Sequence, residues 1–99
     1  MAYPTAARAV EYRMIPMVRR VAEPGLAIGV AFGRAVRRLR AAAGLSEEQL
    51  GTRAGLAPVR VAALEHGEGQ VSLALVERLA GALGLRVWEL LREMERERR

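Results

Sequence analysis

Apolar residues recur at helical spacing between Ile28 and Ala43. This pattern predicts an amphipathic helix with one apolar stripe and basic flanks. Gly44 should end the helix, because glycine readily takes the left-handed conformation that closes a helix. The stripe comprises Phe32, Val36, Leu39 and Ala43, and the flanks carry Arg34, Arg37, Arg38 and Arg40.

Two shorter helices follow, joined by a tight turn. Ser46 and Gln49 have the spacing of a capping box at the start of the second helix, and Gly55 supplies the turn. A third helix is predicted from Pro58 to His66, since proline is well tolerated in a first helical turn. The inward positions of the two helices are Leu50, Ala54, Val61 and Leu64.

The last part of the chain predicts a fourth and a fifth helix. Ser72 should cap the fourth helix, and Gly84 should end it. The fifth begins near Arg86 and ends in a charged tail, where Glu–Arg pairs favour a solvated helix. The predicted core positions are Leu73, Val76, Leu79, Ala80, Leu83, Val87, Leu90, Leu91 and Met94. The chain is therefore expected to be all-α, with five helices in a compact domain over residues 26–99.

Residues 1–25 differ from the rest and are interpreted as an N-terminal arm. Arginines separate apolar residues at helical spacing, but Pro16 interrupts any single helix through the segment. Two interpretations stay open: an arm packed on the domain or partly disordered, and a segment for dimerisation or partner binding. The apolar residues of the arm are Val10, Met14, Met17, Val18 and Val21.

Composition narrows the function classes. The formal charge of +5 comes from arginine and glutamate alone, since the chain has no lysine or aspartate. Residues 26–43 carry four arginines and no acid, whereas residues 44–72 carry two arginines and four glutamates. A net positive charge is compatible with a polyanionic partner. Here, however, the arginine-rich segment precedes the two short helices, and the helices themselves carry more glutamate than arginine. The chain has no cysteine and no apolar run of about 20 residues, so we expect a cytoplasmic protein without a membrane span.

Catalysis is not expected. His66 is the only histidine, and it is interpreted as a cap or surface residue. Both serines, Ser46 and Ser72, are explained as helix caps, and no carboxylate pair or phosphate loop stands out. We therefore predict no enzyme, no cofactor and no metal site.

The stretch from Gly44 to Gly67 resembles the DNA-binding domain of the Cro/C1-type (phage-repressor) helix-turn-helix family. The resemblance covers about residues 30–91 and extends through the fourth and fifth helices. It implies a DNA-binding transcriptional regulator with the helix 58–66 as recognition helix. It also implies a structural salt bridge between Arg40 and Glu65, whose residue types match a pair typical of the family. The matching scaffold positions include Ser46, Leu50, Ala54, Gly55, Leu56, Val61, Leu64, Glu65 and Gly67.

The surface positions depart from that family's pattern. Glu47, Pro58 and Glu68 stand where residues that hold phosphates or bases are usual. Arg60 is the one side chain of the helix 58–66 suited to bidentate base contact, and Val59 and Ala63 are suited to thymine methyl groups. The candidate DNA-binding residues are Arg60, Val59, Ala63, Gln70 and Arg38.

Two functions remain open. The first is a sequence-specific regulator that binds double-stranded DNA as a homodimer. The second is a protein-interaction module on the same scaffold, for example an antitoxin that binds a toxin, with weak or no specific DNA reading. Trp88, the only tryptophan, is interpreted either as a lid over the first helix or the arm, or as a dimer contact alongside Met14, Met17 and Val21.

Overall fold

A computed structural model describes residues 26–99 of the chain. These residues form five helices and no strand, which confirms the predicted all-α fold. The arm, with Met14, Met17 and Val21, lies outside the described residues. The helices are α1 (Ile28–Ala42), α2 (Glu47–Ala54), α3 (Pro58–Glu65), α4 (Leu73–Ala82) and α5 (Val87–Arg98).

Local side-chain chemistry sets the beginnings of two helices. The Ser46 hydroxyl accepts from the Gln49 N–H at 3.0 Å, and the Gln49 side chain accepts from the Ser46 N–H at 2.8 Å. This is the predicted capping box of α2. The Ser72 hydroxyl accepts from the Leu75 N–H at 3.1 Å and caps α4. Ala57 precedes α3 without a side-chain hydrogen bond, so Pro58 alone favours that start.

One hydrophobic core connects all five helices. Each helix packs against two others. α1 packs most extensively against α5 and also against α3, α2 packs against α3 and α4, and α4 packs against α5. The buried side chains interdigitate in a single cluster, which fixes α2 and α3 relative to the rest of the domain. The largest fully buried side chains are Phe32, Val36, Leu50, Val61, Leu64, Leu79 and Leu90.

Three predicted core positions are wrong. Leu73 is 78% exposed because it begins α4 about 90° away from the buried face; Leu75, which the sequence pattern did not single out, is buried instead. Ala43 follows the last residue of α1 and is exposed. Val87 is exposed at the first turn of α5, about 60° around the helix from the buried Leu90.

None of the helices between residues 26 and 99 has the length and apolar character needed to cross a bilayer.

Candidate nucleic-acid interface

A tight turn joins α2 to α3. Gly55 has φ of 72°, in the left-handed region, as the sequence predicted. Arg78 of α4 reaches this turn, and its Nε donates to the Ala54 carbonyl at 3.0 Å. Its Nη2 donates to the Gly55 carbonyl at 2.8 Å. The two bonds satisfy carbonyls at the end of α2 and attach the turn to α4.

Sequence reasoning did not find Arg78. Its partners are backbone carbonyls 23 and 24 residues earlier in the chain. Backbone acceptors leave no residue-type signature, so no spacing rule identifies them. An arginine on α4 that does not fit the apolar core face was the single available signal.

α3 has sharply different faces. Val61 and Leu64 are buried in the core, and Glu65 lies beside them at 7% exposure. On the outer side, Val59 is 76% exposed, and Arg60 is exposed too. Ala63 is partly exposed. The structure therefore brings three candidate DNA-binding residues together on one accessible part of α3.

The pair expected between Arg40 and Glu65 is present and holds the end of α3 to α1. Arg40 donates through Nε at 2.6 Å and through Nη2 at 3.0 Å to the two Glu65 oxygens. Its Nη1 also donates to the Leu45 carbonyl at 2.8 Å. The hydrogen bonds to Glu65 raise the pKa of the Arg40 guanidinium. Such a bidentate, mostly buried pair fixes geometry more than it adds net stability.

Backbone contact reinforces the same junction. A Cβ atom built on Gly33 of α1 would lie 2.2 Å from the Leu64 carbonyl oxygen and 2.9 Å from that of Glu65. Only glycine lets α1 and the end of α3 approach this closely. The orientation of α3 is therefore set by a backbone-to-backbone contact together with the Arg40–Glu65 pair.

Arg38 lies on a different side of α1, where it contacts α5. Its Nη2 donates to Glu93 and its Nε to Glu97, each at 2.9 Å. These bonds raise the pKa of Arg38, and the bond from Arg38 is the main cause that lowers the pKa of Glu93. A phosphate contact by Arg38 would have to replace two carboxylates, so its role in DNA binding stays a prediction.

The remaining polar candidates lie near the end of α3. Gln70 is exposed in the loop before α4. The His66 ring makes a 2.7 Å hydrogen bond with the Ala62 carbonyl, consistent with its interpretation as a helix-end residue. Within the described part of the chain, no group of three metal-ligating side chains is found.

An apolar groove lies apart from α3, between α4 and α5. Trp88 is 57% exposed and lines this groove together with residues of α4 and α5. The Arg92 guanidinium lies 5.1 Å from the centre of the Trp88 ring, in cation–π contact. We call this surface the Trp88 groove; it is lined by Ala80, Gly81, Leu85, Val87, Trp88 and Leu91, with Glu77 and Arg86 at its edge.

The chain is similar to a helix-turn-helix domain family and to solved structures of regulatory proteins. The profile of a family described as a helix-turn-helix domain matches residues 31–94. The clp gene regulator ClgR from Corynebacterium glutamicum is 30% identical with a TM-score of 0.67, over 71% of this chain and 91% of that one. The restriction-modification controller protein C.AhdI from Aeromonas hydrophila is 43% identical with a TM-score of 0.60, over 62% and 92%.

A hypothetical transcription factor from Neisseria, NHTF, is 29% identical with a TM-score of 0.62, over 66% of this chain and 75% of that one. No significant match is found among curated proteins.

Proposed function

The chain belongs to the Cro/C1-type helix-turn-helix family, and we propose that it regulates transcription by binding double-stranded DNA with α3 in the major groove. The observation that carries this proposal is the opposition of the two faces of α3. Val61, Leu64 and Glu65 fix the helix, while Val59 on the outer face and Arg60 on its flank are exposed. A rigidly held helix with an accessible outer side is what groove reading requires.

Arg60 supplies direct base readout in this proposal. Its guanidinium can donate two parallel hydrogen bonds to O6 and N7 of a guanine, the commonest specific contact in the major groove. No other arginine lies on α3. In the same proposal, Gln70 in the loop after α3 contacts the DNA backbone.

We further propose that the regulator is a homodimer whose subunits meet at the Trp88 groove. An eight-residue recognition helix reads only a few base pairs, and two-fold pairing presents two such helices to a palindromic site. The Trp88 groove has the composition of an interface centre, with an exposed tryptophan surrounded by aliphatic side chains. A two-fold contact would bury Trp88 of each copy against the other.

Selection from a random duplex library tests the DNA-reading proposal. We expect wild-type protein to enrich a palindromic motif. Arg60→Ala should bind that motif at least tenfold more weakly, because the loss of a bidentate contact costs about 1.4 kcal/mol or more of binding free energy. Arg99→Ala is the matched control, because it removes the same charge from the end of the chain outside the helix-turn-helix. Absence of an enriched motif, or equal losses in both variants, would contradict the proposal.

Sedimentation equilibrium tests the dimer. Trp88→Glu should shift the wild-type dimer to a monomer, since it removes the aromatic side chain at the centre of the proposed interface and puts in its place a charge that must lose its hydration. Arg99→Ala should leave the dimer intact. A dimeric Trp88→Glu variant would place the interface elsewhere.

A protein partner, such as a toxin, is the second candidate function. The observation that favours it is the exposed apolar side chain of Val59 at the start of α3. In both candidates the role is regulatory rather than catalytic, and the protein acts in the cytoplasm. A partner that binds wild-type protein but not Val59→Glu, together with no enriched DNA motif, would favour this second function.

A further inference from the structure

The outer face of α3 is apolar at its centre. Successive residues of a helix are rotated by about 100°, so the direction opposite to the buried residues can be calculated from their positions. Val59 and Ala63 both lie within about 30° of that direction, whereas Arg60 lies about 90° away on one flank. The two central side chains, one turn apart, are an isopropyl group and a methyl group.

Such a face can recognise only one feature of a base edge. Val59 and Ala63 have no side-chain donor or acceptor, so they cannot read the hydrogen-bonding pattern of the groove. The apolar feature that a base presents in the major groove is the C5-methyl group of thymine. A cytosine methylated at C5 carries the same group at the same position of the ring.

The size of the apolar face also favours a methyl group over a protein side-chain pocket. Val59 is the only large apolar residue exposed on α3. Interface centres between proteins are built mainly from tryptophan, tyrosine and arginine in desolvated pockets. α3 carries no aromatic residue, and its partly exposed Ala62 and Ala63 offer a shallow surface.

We infer that α3 recognises C5-methyl groups of its DNA target through Val59 and Ala63, beside a guanine bound by Arg60. This inference rests on the proposed DNA reading by α3 and assigns the chemistry at its centre. The target half-site therefore contains at least one pyrimidine whose C5-methyl group is required for full affinity.

Removal of single methyl groups from the DNA is the direct test. Motifs are first selected by the full chain from an unmethylated library and from a library fully substituted with 5-methylcytosine. Each thymine of the selected duplex is then replaced by deoxyuridine, and each 5-methylcytosine by cytosine, and dissociation constants are measured. These changes remove one methyl group and leave all hydrogen-bonding groups in place.

We expect about a fourfold loss of affinity at one or two positions of each half-site, which corresponds to about 0.8 kcal/mol for one buried carbon. In Val59→Ala, removal of the methyl group that faces residue 59 should change the affinity by much less than fourfold, towards no change at all. This variant should fold normally, because Val59 is largely exposed and alanine favours helices. Sensitivity in the thymine arm or in the 5-methylcytosine arm identifies the source of the methyl group.

Two results would overturn the inference while leaving the proposed function intact. In the first, wild-type protein selects a motif that depends on Arg60, yet every demethylated duplex binds as tightly as its parent. In the second, demethylation weakens wild type and Val59→Ala equally, so the methyl group acts through DNA shape instead. Failure to select any motif would remove both the proposed function and the inference.

Discussion

Replacing Gly33 by alanine should loosen the junction that orients the proposed recognition helix. The added Cβ would lie 2.2 Å from the Leu64 carbonyl oxygen, whereas carbon–oxygen contacts are ordinarily no shorter than about 3.3 Å. α1 and the end of α3 must therefore separate by about 1 Å. The obstructing atoms belong to the backbone, so no side-chain rotation can relieve the overlap.

Overpacking of this kind costs about 1–3 kcal/mol, partly offset by the gain of about 0.5–1 kcal/mol when glycine in a helix becomes alanine. We expect Gly33→Ala to lower the free energy of unfolding by about 1–2 kcal/mol and Tm by about 10 °C. Circular dichroism during urea and thermal unfolding measures both quantities.

Gly81→Ala is the matched control. Gly81 also lies in a helix, but apart from the adjoining backbone of that helix no atom of residues 26–99 stands within 4 Å of the Cβ that alanine would add there. Because Gly81 lines the Trp88 groove, both variants are compared on the Trp88→Glu background, in which the proposed dimer should not form. Gly81→Ala should gain about 0.5 kcal/mol from helix propensity alone. The steric reasoning is refuted if Gly33→Ala is as stable as its Trp88→Glu parent, or if the two variants change in the same direction.

Three further perturbations probe the contacts around α3. Glu65→Ala should lower the free energy of unfolding by about 3 kcal/mol, because the mostly buried Arg40 guanidinium loses its carboxylate partner. A loss below about 1 kcal/mol in urea unfolding would contradict this. Arg78→Met should lower the free energy of unfolding by about 1–2 kcal/mol, because two carbonyls of the turn lose their donors, and amide hydrogen exchange at the turn should become faster. Unchanged exchange would show that these hydrogen bonds do not hold the turn. The pKa of Glu93 is lowered from its ordinary 4.5 mainly by the Arg38 hydrogen bond, so its stabilising effect is present above pH 4.5 and disappears as pH falls through the lowered pKa. Arg38→Gln should therefore lose less stability than wild type on acidification below pH 4.5, as measured by urea midpoints; parallel curves would argue against that coupling.

The helix boundaries were largely predictable because they depend on local chemistry. Ser46 and Ser72 cap the helices that follow them, and Gly55 takes the left-handed conformation. In each case the interacting groups lie within a few residues of each other. The structure moves a predicted boundary only where a residue acts as a cap, as His66 does at the end of α3.

Burial at the helix ends was harder to predict. Leu73 lies within about 60° of Val76 and Ala80 on α4, and Val87 lies within about 60° of Leu90 and Leu91 on α5, yet both are exposed. At a helix end the neighbouring element covers only one side, and the position of that element depends on the whole packing arrangement. Periodicity within one helix does not contain this information.

Of the long-range ion pairs that Arg38 and Arg40 of α1 make, only that of Arg40 could be predicted from the sequence. The Arg40–Glu65 pair was expected through resemblance to a family in which it recurs. Arg38 gave no such signal, and its partners on α5 lie 55 and 59 residues later in the chain. A flexible arginine with acceptors on a distant helix cannot be assigned from spacing, so the sequence alone left Arg38 among the DNA-binding residues.

The opposed faces of α3 also bear on how the protein can change its target. The side chains that anchor the helix point inward, whereas Val59 is 76% exposed and is not part of the core. Substitutions on the two faces should therefore affect folding and target choice independently. If α3 reads DNA as proposed, a new binding preference should arise from changes at Val59, Arg60 and Ala63 alone, and the helix would then be a starting point for engineered regulators with altered operators.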